Sequence, residues 1–195
     1  MLQNSKKTGL YFGSFNPIHI GHLAIANYML EFTDLDEICF VVSPQNPLKS
    51  KDSLLANRHR YAMVQRAIED FYRFQVSNVE FKLSLPSYTI NTLAVLSEKY
   101  PHKKFALILG ADNLSNFKKW KNWEMILQHY PLYVYPRPCG DGGALREHEA
   151  VTWVDAPMME ISSSFIRKAI QMKKDVRFFL PEKVHAYVEE MGFYK

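Results

Sequence analysis

Two histidines three residues apart, His19 and His22, follow an Asn-Pro turn in the stretch YFGSFNPIHIGH, residues 11 to 22. Imidazoles at that spacing share one face of a helix. Here they fall in its first turn, where unpaired backbone N–H groups and the macrodipole favour an anion. Gly13 stands where a strand hands over to that helix, and Gly21 lies between the histidines, so a ligand can approach the backbone at both points with no Cβ in the way. Three chemistries suit such a pair: a metal site, satisfied core or capping histidines, or a grip on phosphate. The metal option lacks the carboxylate of an HExxH helix and an evident third ligand, so no metal-binding residues are assigned. A Walker A loop is ruled out, since GxxxxGK[ST] does not occur. Two histidines on a Gly-bearing turn at a helix start favour the phosphate site over the core one.

Such a pair needs a strand before it and a helix after it. Short β-rich runs at 9–15, 37–43, 75–79, 105–110 and 132–135 alternate with helical patterns at 20–32, 57–69, 90–99 and 123–128. Strands that are apolar throughout and separated by helices predict a parallel sheet covered on both faces. One more strand is predicted at 152–154, a helix at 162–170 with serine at its start, and a last helix at 183–190 after Pro181. The fold class is therefore α/β: a single Rossmann-like, doubly wound domain over 1–195, with a mostly parallel central sheet and a C-terminal helical segment. The stretch PRPCGDGGALREHE, 136 to 149, is expected to be a mobile loop of that domain. Ligands of open α/β sheets sit at the carboxyl ends of the strands near the switch in strand order, which points to the loops after strands one and four.

Composition fits a globular protein: 195 residues, 47% hydrophobic and 23% charged. The longest apolar runs, ICFVV and FALILG, are strand-sized and too short for a bilayer span, and MLQNSKKTGLYF has no secretory pattern. A cytoplasmic location is expected, with no membrane partner. Cys39 and Cys139 suit reduced thiols better than a disulfide framework. The net charge of +4 fits an anionic small substrate as readily as a nucleic acid, and FKKWKNW, 117 to 123, is read as a solvated helix face anchored by aromatics. No nucleic-acid partner is expected, and self-association into a homo-oligomer is left open.

GSFNPIHIGH resembles the HxGH signature of the nucleotidyltransferase superfamily, and ISSSFIR, 161 to 167, resembles its ISSTxIR motif. PSYTINTL, 86 to 93, and GADNLSNFKKWKNW, 110 to 123, are similar to the substrate motifs of bacterial nicotinate-nucleotide adenylyltransferases, so that the resemblance runs from Gly9 to Arg167. It implies transfer of the adenylyl group of ATP to nicotinic acid mononucleotide, giving deamido-NAD and pyrophosphate, with Mg²⁺ accompanying ATP. It also implies roles. His19, His22 and Arg167 would be catalytic. ATP would be held by Gly13, Ser14, Phe15, His19, Gly21, His22, Gly110, Asp112, Ser162, Ser163, Ser164 and Arg167. The mononucleotide would meet Asn16, Lys49, Arg58, Ser87, Tyr88, Thr89, Asp112, Trp120, Lys121 and Arg137, with Trp120 stacking on the pyridine ring and the Thr89 amide meeting its carboxylate.

The chain departs from the usual GGxFDPxHxGH at Ser14 and Asn16, where Gly and Asp are common, and from ISST at Ser164. Asn16 keeps a turn-forming side chain without the charge, which is expected to bear on how Mg²⁺ is held. Other phosphorylated acceptors are the nearest alternative, nicotinamide mononucleotide first among them. A non-catalytic nucleotide sensor or an RNA-binding module on the same sheet is the alternative of a different kind.

Overall fold

The computed structural model describes residues 5–44, 54–138 and 140–195. Six strands form one sheet in the order β3-β2-β1-β4-β5-β6: β1 (Lys7–Gly13), β2 (Glu37–Val42), β3 (Phe74–Ser77), β4 (Lys104–Gly110), β5 (Leu132–Tyr135) and β6 (Val151–Trp153). All five pairings are parallel, with Tyr11 opposite Phe40 on one side and Ile108 on the other. The chain winds outward from β1 to β3 and then returns to β4 beside β1. The switch in strand order therefore falls between β1 and β4.

Alternation along each strand divides the core into two layers. Tyr11, Ile38, Phe40, Ala106 and Ile108 face one side, against α1 (Ile20–Phe32), α2 (Asn57–Ile68), α6 (Ser163–Gln171) and α7 (Glu182–Glu190). Leu10, Cys39, Val41, Leu107 and Leu109 face the other, against α3 (Thr89–Lys99), α4 (Ala111–Ser115) and α5 (Trp123–His129). Burial on both faces is why these strands read as unbroken apolar runs. No helix among the described residues is long and apolar enough to cross a membrane.

Residues 111–115, unassigned in the sequence, form the short helix α4 directly after β4. Within 136–149, read in the sequence as a mobile loop, several residues have tertiary contacts: Leu145 is buried in the second core layer, the Arg146 guanidinium lies 4.1 Å from the Trp153 ring, and Gly140 presses on the backbone of Ala111 and Asp112. A Cβ on Gly140 would stand 2.4 Å from the Asp112 nitrogen, so only glycine permits that approach.

The amino ends of the strands carry a separate polar cluster. Glu37, 4% exposed, accepts from Thr8 Oγ1 at 2.7 Å, from Gln75 Nε2 at 3.1 Å and from Lys103 Nζ. Lys7 Nζ bridges Asp34 at 2.8 Å and the Tyr133 hydroxyl at 2.6 Å. Burial alone would push the Glu37 carboxyl up, but its bonds from Lys103 and Thr8 outweigh that and hold it below its usual value. Replacing Lys103 by Met leaves the buried carboxylate only the exposed Lys6 ammonium, 4.0 Å away. The variant is expected to lose about 1–3 kcal/mol at pH 7 in urea unfolding. Because protonation relieves the buried charge, the loss should shrink as pH falls through the carboxyl range; a deficit constant from pH 7 to pH 4 would show that Glu37 does not depend on Lys103.

Candidate active site

A cavity of about 270 Å³ opens at the carboxyl ends of β1, β4 and β5, where the switch in strand order puts it. Its walls come from the β1–α1 loop, the start of α4, Arg137 after β5, and the start of α6. Two helix N-termini of full length, those of α1 and α6, therefore meet the same cavity.

The β1–α1 loop takes its shape from Phe15. That residue adopts the left-handed region at φ 44, unusual for a side chain bearing a Cβ, and folds its ring back over Gly13. A Cβ on Gly13 would stand 2.7 Å from that ring, so the glycine makes room for Phe15. Asn16–Pro17 is a cis peptide. The loop's carbonyls are then taken up by the protein: Ser14 by Arg60 Nη1 at 2.6 Å, Asn16 by Arg167 Nη1 at 2.9 Å, and Pro17 by the Ser163 hydroxyl at 2.9 Å. Ser162 caps α6 by accepting from the Phe165 N–H at 3.2 Å, and Arg167 Nη2 donates to the Ser164 hydroxyl at 3.2 Å. The ISSSFIR segment is thus stapled to the loop that precedes the histidines.

His19 is the N-cap of α1 and His22 lies in its first turn; their rings stack with centroids 3.7 Å apart. The His19 N–H donates to His22 Nδ1 at 3.2 Å, which leaves the His22 proton on Nε2. The edges of Phe15 and Tyr11 hold that ring, with centroids at 5.1 and 6.1 Å. His19 is 4% exposed, and its Nδ1 is buried with no hydrogen-bond partner. A bare lone pair there costs less than an orphaned N–H, so the His19 proton is assigned to Nε2. Both rings line the cavity. Burial, helped by the nearby positive Arg137, lowers the His19 pKa to about 4, so the ring is neutral at pH 7. Gly21, which lines the cavity, also leaves room for this ring, since a Cβ there would come within 3.1 Å of His19 Nδ1.

Arg137 and Asp112 form the opposite wall. Arg137 Nη1 donates to the Met159 carbonyl at 3.2 Å, while its Nε stands 4.0 Å from Asp112 Oδ1. Gly110 admits both, because a Cβ would meet Asp112 Oδ1 at 2.4 Å and Arg137 Cγ at 2.7 Å. Asp112 is the one carboxylate among the described residues lining the cavity. No group of three or more His, Cys, Asp and Glu side chains that could hold a metal occurs among the described residues. Arginines, hydroxyls and a single carboxylate fit a divalent ion that arrives with phosphates and keeps most of its ligands there.

The cavity brings together Gly13, Ser14, Phe15, Asn16, His19, Gly21, His22, Asp112, Arg137, Ser162, Ser163, Ser164 and Arg167, with Gly110 just behind them. Ser87, Tyr88, Thr89, Trp120 and Lys121 do not line it. They form a second group, in which the Lys121 ammonium lies 4.6 Å from the Tyr88 ring centroid and Trp120 packs at 4.9 Å on buried Phe117. Thr89 opens α3, and Ser87 is buried, donating to Glu80 Oε2 at 3.2 Å; Glu80 also accepts from Thr92 Oγ1 at 2.8 Å. Asn16, expected to meet the mononucleotide or bear on the ion, has its Oδ1 committed elsewhere, to the Leu55 N–H at 3.3 Å and the Tyr194 hydroxyl at 2.8 Å. Lys49 lies outside the described residues. Arg58 is exposed, with its Nε on His59, and does not reach the cavity.

Two residues from Arg58 stands the arginine that sequence reasoning missed. Arg60 is fully buried, and its five N–H donors meet five oxygens: Leu55 O at 2.9 Å, Ser14 O at 2.6 Å, Ser43 O at 2.7 Å, Pro44 O at 3.1 Å and Asn57 Oδ1 at 2.6 Å. Helical spacing held the signal, because Arg60 shares a face with buried Met63 and Val64 whereas Arg58 does not. Burial lowers the Arg60 pKa to about 10, which still leaves it charged at neutral pH.

The family model described as cytidylyltransferase-like matches residues 10–169. Among curated proteins, the chain is 52% identical to the "Probable nicotinate-nucleotide adenylyltransferase" of Christiangramia forsetii, covering 98% of this chain and 100% of that one. It is 50% identical to the protein so named in Cytophaga hutchinsonii, over 96% and 98% of the two chains. Among solved structures, Plasmodium falciparum nicotinic acid mononucleotide adenylyltransferase complexed with NaAD has the same fold, with a TM-score of 0.80 at 20% identity and 97% of both chains covered.

Two outcomes are expected. Lysine at position 60 offers three donors for five acceptors, so Arg60→Lys should lose roughly 2–5 kcal/mol in urea unfolding, and a loss below about 1 kcal/mol would mean the bonds are not needed. For His19, the folded pKa of about 4 lies below the usual 6.5, so the unfolded chain binds the proton first. Its stabilising contribution is present above the unfolded value and disappears as pH falls toward the folded one, roughly 3 kcal/mol in all. Wild type should therefore lose stability faster than His19→Asn over that window; parallel curves would place His19 in contact with solvent.

Proposed function

The chain belongs to the cytidylyltransferase-like family and, within it, to the nicotinate-nucleotide adenylyltransferases, and from that membership we propose that it transfers the adenylyl group of ATP to nicotinic acid mononucleotide, releasing pyrophosphate. The observation that carries this reading is the convergence of the two stacked imidazoles and the Ser162–Arg167 segment on one cavity at the switch point of the sheet.

Adenylyl transfer asks little covalent chemistry of the protein. The mononucleotide phosphate is already ionised at neutral pH, so no general base is needed. What remains is to align that phosphate with the α-phosphorus of ATP and to stabilise charge on the leaving pyrophosphate. On this reading His22 and His19 donate to the α and β phosphates from the start of α1. Ser163, Ser164 and Arg167 hold the β and γ phosphates at the start of α6, with Arg137 across the cavity. Because His22 Nδ1 is fixed by the His19 N–H and both rings are packed, these donors are oriented before the substrate arrives. Asp112 would be the side chain nearest in kind to a Mg²⁺ ion carried in with ATP; such an ion, when bound, offsets negative charge on the phosphates.

The second group, Ser87 to Thr89 with Trp120 and Lys121, is assigned to the pyridine end of the acceptor. Thr89 offers N-terminal amides of α3 to a carboxylate, and Trp120 a ring face. The Lys121 ammonium, seated on Tyr88, adds positive charge beside that carboxylate.

Purified protein with ATP and Mg²⁺ should release pyrophosphate far faster with nicotinic acid mononucleotide than with nicotinamide mononucleotide. Equal rates would remove the acid assignment, and release with neither would point to a different acceptor. His22→Ala should lower kcat about 100-fold to 1000-fold in a folded protein, the typical cost of deleting one preorganised donor, whereas a loss below about tenfold would make His22 structural.

A further inference from the structure

The last residues of the chain close onto the phosphate loop. The Tyr194 hydroxyl donates at 2.8 Å to Asn16 Oδ1, an oxygen 178 positions away in sequence that also accepts from the Leu55 N–H at 3.3 Å. The carbonyl of the same Asn16 accepts from Arg167 Nη1 at 2.9 Å. Asn16 and Arg167 both line the cavity, so the tyrosine stands one residue removed from a guanidinium that faces it.

The tail is anchored independently of that hydroxyl. Phe193 packs edge-on against His59 and Tyr187, with centroids at 4.9 and 5.6 Å, and its N–H donates to the Val188 carbonyl at 3.1 Å. Tyr187 is itself tied to His59 Nδ1 at 2.9 Å and lies under the Arg66 guanidinium at 4.1 Å. Packing is thus supplied by Phe193 and Tyr187. Tyr194, held in the left-handed region at φ 66, adds a polar group directed at the loop before the histidines. Burial pushes its phenol up, against the pull of Arg167 and Arg60, so it remains a donor across the neutral range.

We propose that Tyr194 is a positioning residue for the phosphate grip: by donating to Asn16 Oδ1 it sets the Asn16 carbonyl that holds Arg167 toward the cavity. The inference rests on the role given to Arg167 in the proposed function. It also explains why Asn can stand at position 16 where Asp is usual in the resembling motif, since the bonds made there require an acceptor oxygen and either side chain supplies one.

The test is titration of Mg-ATP, without acceptor, into wild type, Tyr194→Phe, Arg167→Ala and the double variant, with affinities expressed per folded molecule and thermal midpoints recorded beside them. Tyr194→Phe keeps the ring and is expected to weaken ATP binding about fivefold to tenfold, the range of one lost hydrogen bond, with little change in midpoint. In the Arg167→Ala background the same substitution should cost less than about twofold, because its effect passes through the missing guanidinium. In turnover, KM for ATP should rise while KM for the acceptor stays fixed. Unchanged ATP affinity in Tyr194→Phe, or an equal loss in both backgrounds, overturns the proposal. Since the titration contains no acceptor, it is separate from the proposed function, whose failure would be wild type binding ATP and leaving nicotinic acid mononucleotide unreacted.

Discussion

Everything at the carboxyl end of the sheet depends on how the oxygens of one short loop are satisfied. Between Gly13 and Pro17 the chain turns without helical or sheet partners, yet it is packed between α2 and α6, where unmatched carbonyls are costly. Arg60, Arg167 and Ser163 take the carbonyls of residues 14, 16 and 17 in turn. Arg60 also takes those of Ser43 and Pro44, joining the loops that follow β1 and β2. A buried cation facing only neutral acceptors is an expensive group, and its five satisfied donors are what make it tolerable. The two arginines differ in what they face, for Arg60 is wholly internal, while Arg167 holds the loop and still faces the cavity.

With the loop fixed, the histidines can be donors of defined direction. Burial and the nearby Arg137 keep His19 uncharged, and the His19 amide sets the tautomer of His22, so both stacked rings are held in place. The glycines follow the same logic at one remove. Gly13 yields to Phe15, Gly21 to His19, and Gly110 to Asp112 and Arg137. A glycine beside a phosphate site suggests room for the ligand at the backbone, but each of these admits a side chain that shapes the ligand's space.

The middle of the sheet was legible in the sequence because β2, β4 and β5 are buried along nearly all their length and read as apolar runs, and six runs read as strands are six strands in parallel order. The pairing of 11–22 with 161–167 was legible from motif types, and those segments do share a cavity. What could not be seen were choices made by tertiary contact. Nothing in NRHR says which arginine is internal unless the helix face is counted, and nothing near Asn16 announces a partner at Tyr194. In the loop at 136–149 the glycines divide their roles: Gly140 allows close packing on α4, while Gly142 and Gly143 take positive φ.

The two ends of the sheet differ in how their charges are used. At the amino ends, Lys7, Lys103, Asp34 and Glu37 neutralise one another in local pairs. Around the cavity, Arg137 and Arg167 face a single carboxylate, with Arg60 behind them bound only to neutral oxygens. Among the described residues, arginines outnumber carboxylates around the cavity, which favours the approach of a polyanion, and dissolved salt shortens the range of that attraction. Ionic strength therefore acts on the association rate of a phosphorylated ligand more than on how long it stays.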